Sequence, residues 1–104
     1  MSSHLVQILL PIYNRSGRPI QPEKFGAVRR TLTERFGGVT AYTRAPATGA
    51  WKTPDGAVER DDMIMVEVVV DAIDRDWWSA YRRTMEREFD QESIHARALA
   101  LELL

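Results

Sequence analysis

The stretch that most constrains the fold is residues 61–71, Asp-Asp-Met-Ile-Met-Val-Glu-Val-Val-Val-Asp. Ile64, Val66, Val68 and Val70 alternate with Met63, Met65, Glu67 and Val69, a period of two rather than the three-to-four of a helix. Branched side chains are stiff about their first torsion and fit a pleated surface, so the run reads as a strand. It is the returning arm of a hairpin over residues 39–71. On the outgoing arm Val39, Ala41 and Thr43 share one face and Thr40, Tyr42 and Arg44 the other. Residues 46–49 break the alternation and residues 50–53 resume it, with Trp51 on the distal half. Thr53-Pro54-Asp55-Gly56 has the residues of a type I turn, with glycine placed for a bulge.

The flanking segments follow. Residues 4–13 are apolar on both faces, Val6, Ile8, Leu10 and Ile12 against Leu5, Gln7, Leu9 and Tyr13, the pattern of a central strand. Pro11 cannot donate to a ladder and belongs near the strand's end or at a bulge. After a polar loop at 14–19, Pro22 suits a first helical turn, Phe25, Val28, Leu32 and Phe36 recur at helical spacing, and Gly37-Gly38 supplies the stop. Asp74 is an N-cap for a second helix carrying Trp78, Tyr81, Met85 and Phe89 along one stripe, with Trp77 at its edge. Arg82, Arg83, Glu86, Arg87 and Glu88 read as its solvated side, where Arg82 and Glu86 can pair. Residues 93–104 are rich in alanine and leucine and suit helix or strand. The alternation of His95, Arg97, Leu99, Leu101 and Leu103 with Ala96, Ala98 and Ala100 favours a strand, which gives the first strand its second neighbour.

Strand, helix, strand, strand, helix, strand is the order of the ferredoxin-like split βαβ, an α+β fold. Four antiparallel strands would carry both helices on one face, with a long hairpin between the second and third. Its length, 104 residues, suits one domain over 1–104, with core enough to need no staples. With no cysteine, disulfides and thiolate metal sites are excluded. Fourteen basic against fifteen acidic residues leave a net charge of −1, so no broad field gathers nucleic acid or anionic lipid. The N-terminus lacks the basic and apolar segments of a leader, and the expected location is cytoplasmic, without a membrane span.

The helix-covered face should hold Val6, Ile8, Leu10, Ile12, Val39, Ala41, Ile64, Val66, Val68 and Val70. The opposite face then collects Leu5, Gln7, Leu9, Tyr13, Tyr42, Arg44, Met63, Met65, Glu67 and Val69, an apolar strip with a few polar groups. Such a strip marks an interaction surface, and pairing with a second copy is the simplest way to cover it. A three-residue Pro54-Asp55-Gly56 connection pairs Thr53 with Ala57, and an unbroken ladder would put Arg44 opposite Val66, on the wrong face. One irregularity must intervene. A single extra residue within 46–49 would bring Tyr42 opposite Glu67, with Arg44 diagonal to it.

Glu67, a carboxylate within an apolar strand, needs a partner or a raised pKa. Arg44, Tyr42 or Gln7 can satisfy it structurally. In the functional alternative Glu67 is the base or acceptor of a small pocket, Arg44 clamps an anion, and Tyr13, Tyr42 and Trp51 form walls. Trp77 and Trp78, at helical spacing with Tyr81 and Phe89, are core or dimer anchors. His4 and His95 have no carboxylate or second histidine at ligand spacing, so neither a metal nor another cofactor is expected. No serine joins them in a triad order. An RNA-recognition role, which shares this order of elements, would need aromatic residues on the central strands, where Met63, Met65, Glu67 and Val69 stand instead.

Arg35-Phe36-Gly37-Gly38, Thr40, Tyr42, Arg44-Ala45-Pro46, Gly49, Trp51, Asp61-Asp62 and Trp77-Trp78 together resemble a set of small bacterial ferredoxin-like proteins that have no assigned reaction. The likeness runs nearly the whole length. At fold level the chain is also similar to the dimeric α/β barrels, which include cofactor-free monooxygenases and muconolactone isomerases and which pair their open sheet faces. Their usual catalytic histidine arrangement has no match here. Two readings result: a homodimeric module binding a small anionic or aromatic ligand at the open face, or a small cofactor-independent enzyme of the barrel type.

Overall fold

A computed structural model describes residues 3–38, 40–44, 50–52, 58–60 and 63–104. Along the chain lie β1 (Ser3–Pro11), α1 (Pro22–Phe36), β2 (Thr40–Arg44), β3 (Ala50–Lys52), β4 (Val58–Arg60), β5 (Met63–Val70), α2 (Arg75–Glu88) and β6 (His95–Leu101). The architecture is α+β, two helices with an antiparallel sheet. β1 is its central strand, with β5 on one side from His4↔Val70 to Pro11↔Met63 and β6 on the other from Ser3↔Leu101 to Leu9↔His95. β2 runs antiparallel to β5 from Thr40↔Glu67 to Arg44↔Met63.

Each boundary has a local cause. Pro11 is the last residue of β1, beyond the end of the β6 ladder at Leu9, where a residue without an N–H is tolerated. The loop beyond closes through a Tyr13↔Pro19 bridge, with the Asn14 side-chain oxygen accepting from the N–H groups of Ser16 and Arg18 at 2.9 and 3.0 Å. Pro22 opens α1, and Gly37 ends it at φ 84°, its N–H donating to the Thr33 carbonyl at 2.8 Å. Asp74 caps α2, its carboxylate accepting from the Trp77 N–H at 3.1 Å. β6 is a strand despite its alanine and leucine content, because the free edge of β1 gives its backbone groups partners.

The even-numbered strand residues form the core side. Val6, Ile8, Leu10, Val66, Val68 and Val70 are buried in one cluster with Val28 and Leu32 of α1 and Met85 of α2. Phe89 and Ile94 complete it, and Ile64, Phe25, Phe36, Trp77, Trp78, Tyr81 and Ala96 pack against it. Both helices therefore cover this face, as the alternation predicts; Val39 lies outside the described residues. Phe36 stacks on Trp78 at 5.5 Å and Trp77 on Tyr81 at 4.9 Å, while the Arg35 guanidinium sits 4.4 Å above Trp77. The two tryptophans thus belong to the helix layer. Arg82 and Glu86 approach to 4.0 Å, one turn apart as expected.

The hairpin register differs from expectation in size but not in parity. β3 pairs with β4 from Ala50↔Arg60 to Lys52↔Val58, the register of a three-residue connection at 54–56. β2 and β5 run three residues out of step with it. An odd offset keeps Ala41 and Thr43 opposite Val66 and Ile64, so the face assignment survives. Three residues rather than one shift the pairing one rung further, so Glu67 stands opposite Thr40 and Tyr42 opposite Met65. The expected site of the irregularity, 46–49, and the turn at 53–56 lie outside the described residues.

Candidate functional site on the open sheet face

The odd-numbered strand positions form rungs across the face that carries no helix. One rung is Val69, Leu5 and Leu99; the next is Glu67, Gln7 and Arg97; the third is Met65, Leu9 and His95. β2 extends two of them in register, Thr40 at the Glu67 rung and Tyr42 at the Met65 rung, with Arg44 opposite Met63. Directly opposed residues in a ladder have side chains near enough to touch, so each rung is a unit of contact.

The middle rung is a connected polar row. The Gln7 amide nitrogen donates to a Glu67 carboxylate oxygen at 2.6 Å, and the Gln7 carbonyl oxygen accepts from the Arg97 Nε at 2.7 Å. One neutral side chain thus joins an anion to a cation across three strands. Glu67 and Gln7 are half-buried and Arg97 is exposed, so the negative end lies deeper than the positive end. Of the three candidate partners named for Glu67, Gln7 is the one whose bond is described. Arg97 is a partner that sequence reasoning missed. Its place on the odd face of β6 was readable, but its rung depended on a register that no local signal sets.

The apolar rungs are unequally covered. Val69 and Leu99 are each 46% exposed, and Leu103 beyond them is 70% exposed. Met65 is different. It is 2% exposed and lies outside the helix-side core, although its odd position faces away from both helices. The expectation that this whole strip is wet in a single chain is corrected there: Val69 and Leu99 at one end and Tyr13 beyond the other are exposed, while Leu5 and Leu9 are half-buried.

The sequence-predicted site residues fall into three places. Glu67 is central to the open face. Tyr42 and Arg44 occupy its β2 rungs, and Trp51 lies in the separate β3–β4 ladder opposite Glu59. Tyr13 lies beyond the end of β1, 46% exposed, its carbonyl accepting from the Gln91 side chain at 2.8 Å. His4 and His95 stand on opposite faces, and no cluster of three metal-ligating side chains occurs among the described residues.

No protein-family model matches the chain, and no curated protein matches it. Among solved structures it is similar to a phage SAM lyase in complex with S-methyl-5′-thioadenosine. The TM-score is 0.59 at 12% identity, over 93% of this chain and 80% of that one. What the two share is a fold. At this identity nothing about residues or reaction carries across. Among the described residues, no helix is long and apolar enough to cross a membrane.

Proposed function

We propose that the chain is a single ferredoxin-like βαββαβ domain with a four-stranded sheet, acting as a cytoplasmic homodimeric module that binds a small anionic or aromatic ligand on its open sheet face. The observation that carries this reading is the Glu67–Gln7–Arg97 row, half-buried at its Glu67 end and set between a buried Met65 and the exposed rung of Val69 and Leu99. An apolar end where Val69 and Leu99 are each 46% exposed suits a twofold contact, in which each copy offers the same patch. A polar row beside such a contact suits ligand recognition, because a few placed polar groups in apolar surroundings fix a ligand's orientation. In this reading Arg44 clamps the anion, Tyr42, Trp51 and Tyr13 form walls, and Glu67 accepts a ligand donor. The similar fold of a lyase solved with a small molecule is a precedent for a ligand on this scaffold.

Thermal-shift screening of the full chain against aromatic acids, S-methyl-5′-thioadenosine and phosphate esters tests the proposal. It expects at least one stabilising ligand whose effect is lost in Arg44→Ala and in Glu67→Gln. A ligand that stabilises both variants as well as the parent would place binding elsewhere.

A second reading, a small cofactor-independent enzyme of the dimeric α/β barrel type, is supported by the cover over Met65. Met65, 2% exposed on the open face, marks a part of that face kept from water, which proton transfer by Glu67 would need. Turnover of a stabilising ligand, abolished in Glu67→Gln with binding retained, separates this reading from the first.

A further inference from the structure

The helix face of the sheet is not evenly filled. Below α2 the edge strand β6 presents Ala96 and Ala98, whose methyl groups leave space that larger residues would occupy. The result is a cleft of about 300 Å³ between the N-terminal half of α2 and β6, at the low end of the volumes that take small molecules. Arg75, Trp78, Ser79 and Arg82 line its helical wall. They recur at the three- and four-residue spacing that puts side chains on one helix face.

The chemistry of this lining is one-sided. Its charged residues are Arg75, Arg82 and Arg97, and it includes no carboxylate, although the whole chain has a net charge of −1. Arg97 sends its Nε to Gln7 on the other face, which leaves Arg75 and Arg82 as the cations of the cleft. They lie seven residues apart, or roughly 10 Å along the helix axis. The Arg82 Nε meets the Glu86 carboxylate only at 4.0 Å, and the same Glu86 oxygen accepts from the Ile94 N–H at 3.2 Å. Between the two arginines lies Trp78, whose ring forms part of the cleft wall while its indole nitrogen is buried away from the cleft surface.

We propose that this cleft is a binding site for a small aromatic anion, with its carboxylate or phosphate oxygens held by Arg75 and Arg82. The ligand's ring lies over the alanine floor against the part of Trp78 that lines the cleft. Arginine suits this task because its planar fork meets both kinds of oxyanion in a bidentate way and stacks on flat rings. The site opens on the helix side of β6, shares Arg97 with the open-face row, and does not rest on the function proposed for that face.

The test follows the indole N–H resonance of Trp78 in the 15N-labelled full chain, assigned by its loss in Trp78→Phe. The probes are indole-3-acetate, phenyl phosphate, indole-3-acetamide and inorganic phosphate. The proposal expects saturable displacement of this resonance by one or both aromatic anions, with the neutral amide and inorganic phosphate at least about tenfold weaker. Arg75→Gln and Arg82→Gln should each weaken the aromatic anion about tenfold, while Arg83→Gln leaves it unchanged. No displacement by either aromatic anion overturns the proposal. Equal binding of acid and amide by the unaltered chain does so too, whatever the variants do. A loss on Glu67→Gln with Arg75→Gln and Arg82→Gln unaffected would assign the ligand to the open face instead.

Discussion

Replacing Gln7 is the sharpest test of the polar row, because one amide makes both of its hydrogen bonds. The bond to Glu67 is short and half-buried, and its partner is a carboxylate, so about 1.5 kcal/mol is a fair share for it. The bond from Arg97 is exposed, and screening holds it to about 0.5 kcal/mol. Gln7→Leu removes both and returns part of the loss through apolar contact with Leu5 and Leu9, leaving a net destabilisation of about 1–2 kcal/mol. Urea unfolding followed by tryptophan fluorescence would show the midpoint falling by about 1 M. The series must be run at several protein concentrations, since self-association would make stability depend on them. Gln7→Glu is the complementary variant. It sets a second carboxylate directly against Glu67, so the pair holds a proton more tightly when folded than when unfolded. Its stability should then be closest to the parent below about pH 4 and fall as pH rises through and above the ordinary carboxylate range. A Gln7→Leu chain as stable as the parent, or a Gln7→Glu chain indifferent to pH, would refute the row as a connected unit.

Three further outcomes follow from the helix layer. Gly37→Ala should cost about 1–2 kcal/mol through backbone strain alone, because φ is 84° and no atom lies within 4 Å of an added methyl group; an unchanged melting temperature would contradict the left-handed cap. Asp74→Ala loses the cap on the Trp77 N–H and the 3.4 Å pair with Arg35, a loss of about 1 kcal/mol, and Asp74→Asn should recover the cap but not the pair. Burial holds the Tyr81 phenol above its ordinary value of 10.0, against a smaller opposing effect from its bond with Thr31. The folded chain therefore keeps that proton longer than the unfolded chain, and this residue's contribution to stability is lost as pH rises above about 10. Absorbance titration should show the late phenol in the parent and not in Tyr81→Phe.

Much of the fold was legible because periodicity and capping are local. The odd–even alternation of residues 63–70 and 95–101, the Gly37 stop and the Asp74 cap each act within a few residues of their cause. The register of β2 against β5 was not legible to the rung, since any odd offset satisfies the same face pattern and one and three residues look alike from the alternation. The site was less readable for the same reason. Glu67 stood out as a charge in an apolar run, but its tie to Arg97 through Gln7 joins three strands whose alignment exists only after folding. Arg82 looked like part of a solvated helix face, and Arg75 was not singled out. What makes them a cleft wall is the small size of Ala96 and Ala98 on a strand some twenty residues away, a relation that helical spacing alone does not contain.

The central claim is that both helices cover one side of the sheet and that a second copy covers the exposed end of the other. Sedimentation equilibrium of the full chain tests it most directly. The account predicts a particle of twice the 11.9 kDa chain mass, and a folded single chain for Val69→Asp with Leu99→Asp, two positions that are 46% exposed and so tolerate the change without loss of the core. A parent chain that sediments as one copy at every concentration, or a doubly substituted chain that still pairs, would contradict it.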